Sequence, residues 1–308
     1  MAGGSDARRV TIVEVGPRDG LQNEPTPLPI DTRVRFIEAL AGAGLSRIET
    51  TAFVHPKWVP QMADAEEVAA RLPRGGGAVR FSALVPNRKG LERALGAGVR
   101  EVAVVASATE SFNRNNLDAS LDETLREIEA VAREAGSASV MVRAYLSVAF
   151  VCPYEGPVDP ARAAALAERL AGAGASEIAL SDTIGAATPS DVSRLLERVL
   201  PRVPAERIAL HLHDTRGTAL ANVLRGLDLG IGVFDSSAGG LGGCPYAPGA
   251  AGNLATEDLV YMLDGMGIGT GVSLAGVLSA SALLEAAIGR PLPGRVFRAG
   301  GAPRPPSP

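Results

Sequence analysis

The segment HLHD sets His211 and His213 two residues apart within a β-forming run. On a strand, residues i and i+2 share a face, so both imidazoles project the same way. The chain has only three histidines, so two on one face need explaining, although HxH alone is a weak motif and a satisfied interior histidine is the plainer reading. GPRDG near the start supplies Arg18 and Asp19, and Asn253 follows Gly252. Two imidazoles, the Asp19 carboxylate and the Asn253 amide oxygen would make a mixed nitrogen and oxygen site with open positions for substrate. The oxygens bias it toward a divalent metal such as Mg²⁺ or Mn²⁺, while the imidazoles also accept Zn²⁺, Co²⁺ or Fe²⁺. Taken alone, Asn253 reads as a turn or helix-entry residue.

The second chemical feature is a cysteine inside GGLGGCPYAPGAAGN (239–253), a segment with six glycines. It lacks the Gly-Lys-Ser/Thr of a P-loop and follows the last strand rather than the first. Glycine tolerates positive φ, so a lid that closes over substrate and carries Cys244 inward is expected. The competing reading of Cys244 is a small buried hydrophobe. Glu49 and Asp182 end strands that should otherwise be apolar, and are expected to bind Arg18 or orient a metal ligand. For Asp182 a solvated loop carboxylate is nearly as good a reading. His55 opens HPKWVPQMAD, in which Trp58 reads as packing.

Catalytic residues need rigid elements behind them, and the sequence supplies eight short apolar runs. They are VTIVEVG (10–16), RIETTAF (47–53), FSALV (81–85), EVAVVAS (101–107), MVRAYLSVAF (141–150), EIALSDT (177–183), RIALHLHD (207–214) and GVFDSSAGG (232–240). Amphipathic helical patterns such as 120–136 and 159–174 lie between them, and glycine stops at Gly44, Gly98, Gly174 and Gly232 precede the next strand. Strand and helix alternating eight times predicts an α/β fold, a closed (β/α)8 TIM barrel with an appended C-terminal helix over 273–289 that packs on the barrel or on a partner subunit. One domain is expected over 1–290 and a disordered tail over 291–308. In this fold the active site lies at the carboxyl ends of the strands, where Arg18, Asp19, His211 and His213 fall.

Composition bounds the partners. A net charge of −4 with no basic stripe argues against nucleic acid. No apolar run approaches the ~20 residues of a membrane span. Two cysteines fit a reducing compartment, and without an apolar leader the expected location is cytoplasmic.

At VEVGPRDGLQNE (13–24), IETTAFVHPKWVPQMAD, CPYEG (152–156), SDTIG, HLHDTRGTALAN and GNLATEDLVYML (252–263) the chain resembles the 3-hydroxy-3-methylglutaryl-CoA lyases over nearly its full length. The glycine-rich segment looks like that family's cysteine loop. The resemblance implies a metal-dependent barrel that cleaves its acyl-CoA substrate to acetoacetate and acetyl-CoA. It further implies Asp19, His211, His213 and Asn253 as metal ligands, Arg18 as the substrate-binding arginine, Cys244 as the catalytic cysteine, and Gln22 and Glu49 as lining the site. A homo-oligomer, most simply a dimer, is expected. The chain departs from the family at His55, where Ser is frequent, at Ser181, where Gly is frequent, and at Pro25, where some members carry a basic residue near the CoA entrance. No cysteine follows Cys244, and the C-terminal peroxisomal address is absent. The competing reading is a related lyase or condensing synthase on the same scaffold, acting on a 2-oxo acid or on a longer branched 3-hydroxyglutaryl-CoA. A metal-occupied protein without turnover is a third.

Overall fold

The computed structural model describes residues 9–73, 77–243 and 252–301. Each of the eight apolar runs holds one strand: β1 (Thr11–Glu14), β2 (Arg47–Ala52), β3 (Arg80–Leu84), β4 (Glu101–Ser107), β5 (Met141–Ser147), β6 (Glu177–Asp182), β7 (Ile208–Leu212) and β8 (Val233–Ser236). All pair in parallel and close in the order β1-β8-β7-β6-β5-β4-β3-β2. The fold is therefore the expected (β/α)8 barrel. Several strands stop short of the apolar run. After β5, Val148 turns to φ 48°, a region costly for a β-branched residue, and its N–H is held by Thr183 Oγ1 at 2.8 Å.

Alternation along the strands sorts the residues into two compartments. Val102, Val104, Val142, Leu146, Ile178, Leu180, Ile208 and Leu210 belong to the large apolar cluster between sheet and helices. The opposite parity forms a small cluster of Ala103, Tyr145, Ala179 and Ala209, accompanied by charged side chains. Arg47 pairs with Glu101 at 3.0 Å and Glu177 at 2.8 Å, and Arg143 reaches Glu177 at 2.6 Å and Asp235 at 2.6 Å. A barrel interior is usually filled with branched aliphatics; here ions fill it, each neutralised by a neighbour, because an unpaired buried charge is prohibitive.

The helices begin and end where local chemistry requires. Ser120 and Glu123 form a reciprocal capping box at Leu121–Ser137, as do Thr188 and Asp191 at Pro189–Val199. The glycine stops hold at Gly44, Gly98 and Gly174, which take φ 96°, 84° and 109°. In LGIG the left-handed residue is Gly230 (φ 92°) rather than Gly232. Gly232 already belongs to the barrel, its carbonyl accepting from Thr11 N–H at 2.9 Å.

The eighth unit's helix is Thr256–Gly265, and the appended helix Leu274–Ile288 packs beyond it against Ile30–Gly42. The chain does not become a free tail at 291. Leu292 is buried, Gly294 N–H donates to Gly239 O at 2.9 Å, and Arg295–Arg298 form a helical turn. Asp258 caps that turn, accepting from Arg295 and Val296 N–H at 3.1 and 2.7 Å, an interaction that Pro/Gly content alone does not reveal.

Two glycine stops separate strain from space. A Cβ on Gly44 would lie 2.3 Å from Gly271 O, whereas one on Gly174 would make ordinary contact with Ala132 at 3.5 Å. Gly174→Ala should cost about 1–2 kcal/mol for its backbone conformation, and Gly44→Ala a further 1–3 kcal/mol or so for displacing a backbone carbonyl. Urea unfolding of the two variants side by side measures the difference; equal losses would refute the steric account.

Candidate active site

Directly after β1 the chain makes one tight turn, Gly16–Gly20, in which the N–H groups of Arg18, Asp19 and Gly20 all point to Val15 O. Pro17 has no N–H to satisfy. The turn delivers Arg18 and Asp19 together to the barrel mouth, joined by an ion pair of 2.6 Å. Arg18 Nε pairs with Glu49 Oε1, and Gln22 Nε2 donates to Asp19 at 3.2 Å. Burial alone would raise the Asp19 pKa, but the Arg18 guanidinium above all outweighs it and holds the group well below the usual carboxylate range.

His211 and His213 share the inward face, their Nε2 atoms 3.2 Å apart. Asp235 accepts at 3.0 Å from His211 Nδ1, which leaves the Nε2 lone pair of a neutral ring free. Burial, and then the neighbouring His211, lower His213 to about 4, so that its ring is neutral near pH 7. Ligand atoms of Asp19, His211 and His213 lie within 4.8 Å of one another. Two imidazole lone pairs and one carboxylate oxygen converging in this way suit a divalent cation.

Asn253 enters from beyond β8. Its backbone bridges to His213, with Leu254 N–H donating to Leu212 O at 2.9 Å and Asp214 N–H to Gly252 O at 3.1 Å. Gly252 threads between two carbonyls: a Cβ there would meet Gly240 O and Gly242 O, each at 2.3 Å. The Asn253 amide nitrogen donates to Asp19 Oδ2 at 2.8 Å and Leu241 O at 3.1 Å, which sets the amide group beside the Asp19 carboxylate. All four residues expected as ligands are thus brought together.

The cavity above them holds about 230 Å³ and is lined by Arg18, Asp19, Gln22, Tyr145, Ser181, His211 and His213, with Val54, Leu84, Phe112 and Leu117 as an apolar wall. Of His55, Ser181 and Pro25, Ser181 alone borders the cavity. His55 accepts from Lys57 N–H at 3.2 Å in an exposed turn, Pro25 is exposed, and Trp58 is 78% exposed rather than packed. Cys244 lies outside the described residues. Cys152 is buried, with Thr109 Oγ1 donating to its sulfur at 3.2 Å.

Of the two strand-end carboxylates, only Glu49 meets Arg18. Asp182 instead accepts from Ala186 and Ala187 N–H at 2.9 and 3.0 Å and shapes the loop after β6. Glu177, Ala179 and Ser181 take the inward parity, so Asp182 must face outward. It is no solvated loop group either: the side chain is fully buried, which lifts its pKa to about 6. Tyr145, Arg143 and Asp235 escaped the sequence reading. Their signal was a polar residue at the inward parity of MVRAYLS and VFDS.

Such a barrel, carrying a His, His and Asp donor set beside a paired arginine at its catalytic end, is that of a metal-site enzyme. The HMGL-like family model matches residues 9–284, and the chain belongs to this family. It is 52% identical over 288 residues to the hydroxymethylglutaryl-CoA lyase of Bacillus subtilis, covering 94% of this chain and 96% of that one. The mitochondrial hydroxymethylglutaryl-CoA lyase of Homo sapiens is 47% identical over 296 residues, 96% of this chain and 91% of that one. The structure of an HMG-CoA lyase from Acinetobacter baumannii in complex with coenzyme A and 3-methylmalate superposes with a TM-score of 0.92 at 36% identity, covering 100% of both chains.

Two buried acids hold the segment leading to Cys244. Glu14 accepts from Gly16 N–H, Ala238 N–H and Thr256 Oγ1, and Glu257 accepts from Gly239 N–H. Burial pushes each up to about 7 from 4.5. Both therefore stay protonated in the folded state at pH values where the unfolded chain has lost the proton. Their contribution to stability is full below about pH 4.5 and falls as pH rises toward 7. Glu14→Gln mimics the protonated acid and should flatten that decline by on the order of 1–3 kcal/mol, read from urea unfolding at pH 5, 6 and 7. An unchanged slope would refute it.

Proposed function

We propose that the chain cleaves 3-hydroxy-3-methylglutaryl-CoA to acetoacetate and acetyl-CoA by a retro-Claisen reaction. The observation that carries this reading is the convergence of Asp19, His211 and His213 beside Arg18 in a chain 52% identical to such a lyase over 94% of its length. The relative bound to coenzyme A and 3-methylmalate supports an acyl-CoA substrate.

Asp19, His211, His213 and Asn253 would hold the cation, for which the oxygen donors favour Mg²⁺ or Mn²⁺. When bound, it supplies Lewis acidity toward the substrate's hydroxyl and carbonyl oxygens. Asp19 takes the proton of the tertiary 3-hydroxyl. Its basicity rises as Arg18 turns from it to the thioester oxygen. The C2–C3 bond breaks, its electrons pass to the thioester enolate, and C3 becomes the ketone of acetoacetate. Arg18 then faces the developing enolate charge as an oxyanion-hole donor, with Gln22 and Glu49 fixing the two groups. Cys244 gives its thiol proton to the enolate carbon, forming acetyl-CoA. A homodimer in the cytoplasm completes the reading. The paucity of cysteine supports a reducing compartment, and no helix among the described residues is long and apolar enough to cross a membrane.

Exhaustive chelation should abolish acetoacetate release and Mg²⁺ or Mn²⁺ should restore it; full turnover by protein shown to be metal-free would sink the mechanism. Arg18→Gln should keep Mn²⁺ binding yet lose about 10²–10³ in turnover, as for a lost oxyanion donor, and near-normal turnover at saturating substrate would remove it from that role.

Cys244 should be alkylated readily in the free enzyme and protected by substrate, with buried Cys152 as the internal comparison, and Cys244→Ala should lower turnover about 10²–10⁴-fold at unchanged Mn²⁺ affinity. Mass-spectrometric mapping of both cysteines, with the variant's kinetics, decides the matter. Slow alkylation indifferent to substrate would mark a structural cysteine.

A further inference from the structure

Arg143 is buried inside the barrel, and one guanidinium there touches both halves of the site. Its Nη1 and Nη2 atoms donate to Asp235 at 2.9 and 2.6 Å, and Asp235 accepts in turn from His211 Nδ1. The same Nη1 donates at 2.8 Å to Tyr145 OH, which donates at 2.8 Å to Glu49 Oε2; the other oxygen of Glu49 takes Arg18 Nε. Arg18 closes the circuit on Asp19. One arm from Arg143 thus ends on a histidine expected to bind the cation, and the other on the arginine expected to face the substrate.

The donor directions leave little freedom. The Tyr145 oxygen accepts from Arg143, so its single proton points at Glu49, and Glu49 is turned with one oxygen toward each partner. Asp235 is gripped by two nitrogens of a planar fork, which fixes the plane of the carboxylate facing His211. Arg143 Nε is anchored separately on Glu177 at 2.6 Å, so the fork cannot rotate to favour one arm. Lysine would keep the charge but has no fork to hold two differently directed acceptors at once.

Resting on the reaction proposed above, we infer that Arg143 is a positioning residue that sets the cation-binding imidazole of His211 and the substrate-facing guanidinium of Arg18 in register with each other. It touches neither substrate nor cation. Its effect travels through Asp235 on one side and through Tyr145 and Glu49 on the other.

Arg143→Lys and a double-mutant cycle of Asp235→Asn with Tyr145→Phe test this on the full chain, with Mn²⁺ affinity measured by electron paramagnetic resonance and kcat and KM measured with substrate. Loss of an outer partner of a ligating histidine typically weakens metal binding 10–100-fold. Folded Arg143→Lys and Asp235→Asn should each fall in that range, and Arg143→Lys should lower kcat more than it raises KM. Asp235 and Tyr145 both accept from Arg143, so with the arginine present their effects on kcat/KM should depart from multiplicative by about tenfold, within the usual range for coupled sites. In the Arg143→Lys background that departure should shrink to the part carried by the edge-on contact of the Tyr145 ring with His211, whose centroids lie 5.6 Å apart. Should Arg143→Lys fail to fold, the cycle in the wild-type background and the Mn²⁺ affinity of Asp235→Asn carry the test. Multiplicative single effects with Arg143 intact, or Mn²⁺ affinity within twofold of wild type in the folded variants, would overturn the inference. Wild-type protein that binds Mn²⁺ but releases no acetoacetate would instead overturn the reaction assigned, leaving the positioning role to be decided by metal affinity alone.

Discussion

Charge neutralisation inside the barrel is the constraint on which the remainder of this structure depends. From the amino end toward the mouth, Glu101, Arg47, Glu177, Arg143, Asp235 and His211 form a continuous series in which each group finds an opposite charge or a hydrogen bond. Removing one member of a buried set leaves its partner uncompensated, which costs far more than the pair contributes. Burial opposes the charge on Arg143, but Asp235, Tyr145 and Glu177 outweigh that opposition and raise its pKa well above the usual value. A residue that stays ionised at every working pH is a fixed post for its neighbours. The interior therefore acts as a frame whose geometry is set by directional bonds, where an aliphatic core would set it by shape alone.

Much of this was legible in the sequence, for identifiable reasons. Eight strands were readable because their outward faces are apolar and β-branched, and three glycine stops because only glycine takes the backbone angles seen at Gly44, Gly98 and Gly174. His211 and His213 were readable because spacing by two on a strand fixes a common face. The interior ions were harder. A polar residue such as Arg143 or Asp235 within a short strand reads equally well as an exposed position until the parity of all eight strands is known together. Asp182 was misplaced for the same reason, one residue of register separating the cavity from the opposite face. The segment at 291–301 escaped because two of its anchors, Asp258 and Gly239, lie far back along the chain.

The site draws on residues distant in sequence. Arg18 and Asp19 follow β1, the histidines come from the last residues of β7 and just beyond, and Asn253 lies past β8; barrel closure brings them within bonding distance. The ladders at this joint are uneven. β1 and β8 share four registered residue pairs, but β1 meets β2 over two and β8 meets β7 over two, against seven between β4 and β5.

That unevenness makes the first and last strands a two-stranded ribbon set into a six-stranded arc, with the fewest registered residue pairs along its two borders. Side chains of the site cross both borders: Arg18 to Glu49 on one, Asp235 to His211 and Asn253's backbone to β7 on the other. An ion shared by Asp19, His211, His213 and Asn253 would be a clasp over the border between ribbon and arc. Whatever binds the native state but not its opened forms suppresses opening by mass action. Amide protons along those borders would then exchange with solvent more slowly once the clasp is fastened, so that the group serving the chemistry would also govern how readily the barrel breathes.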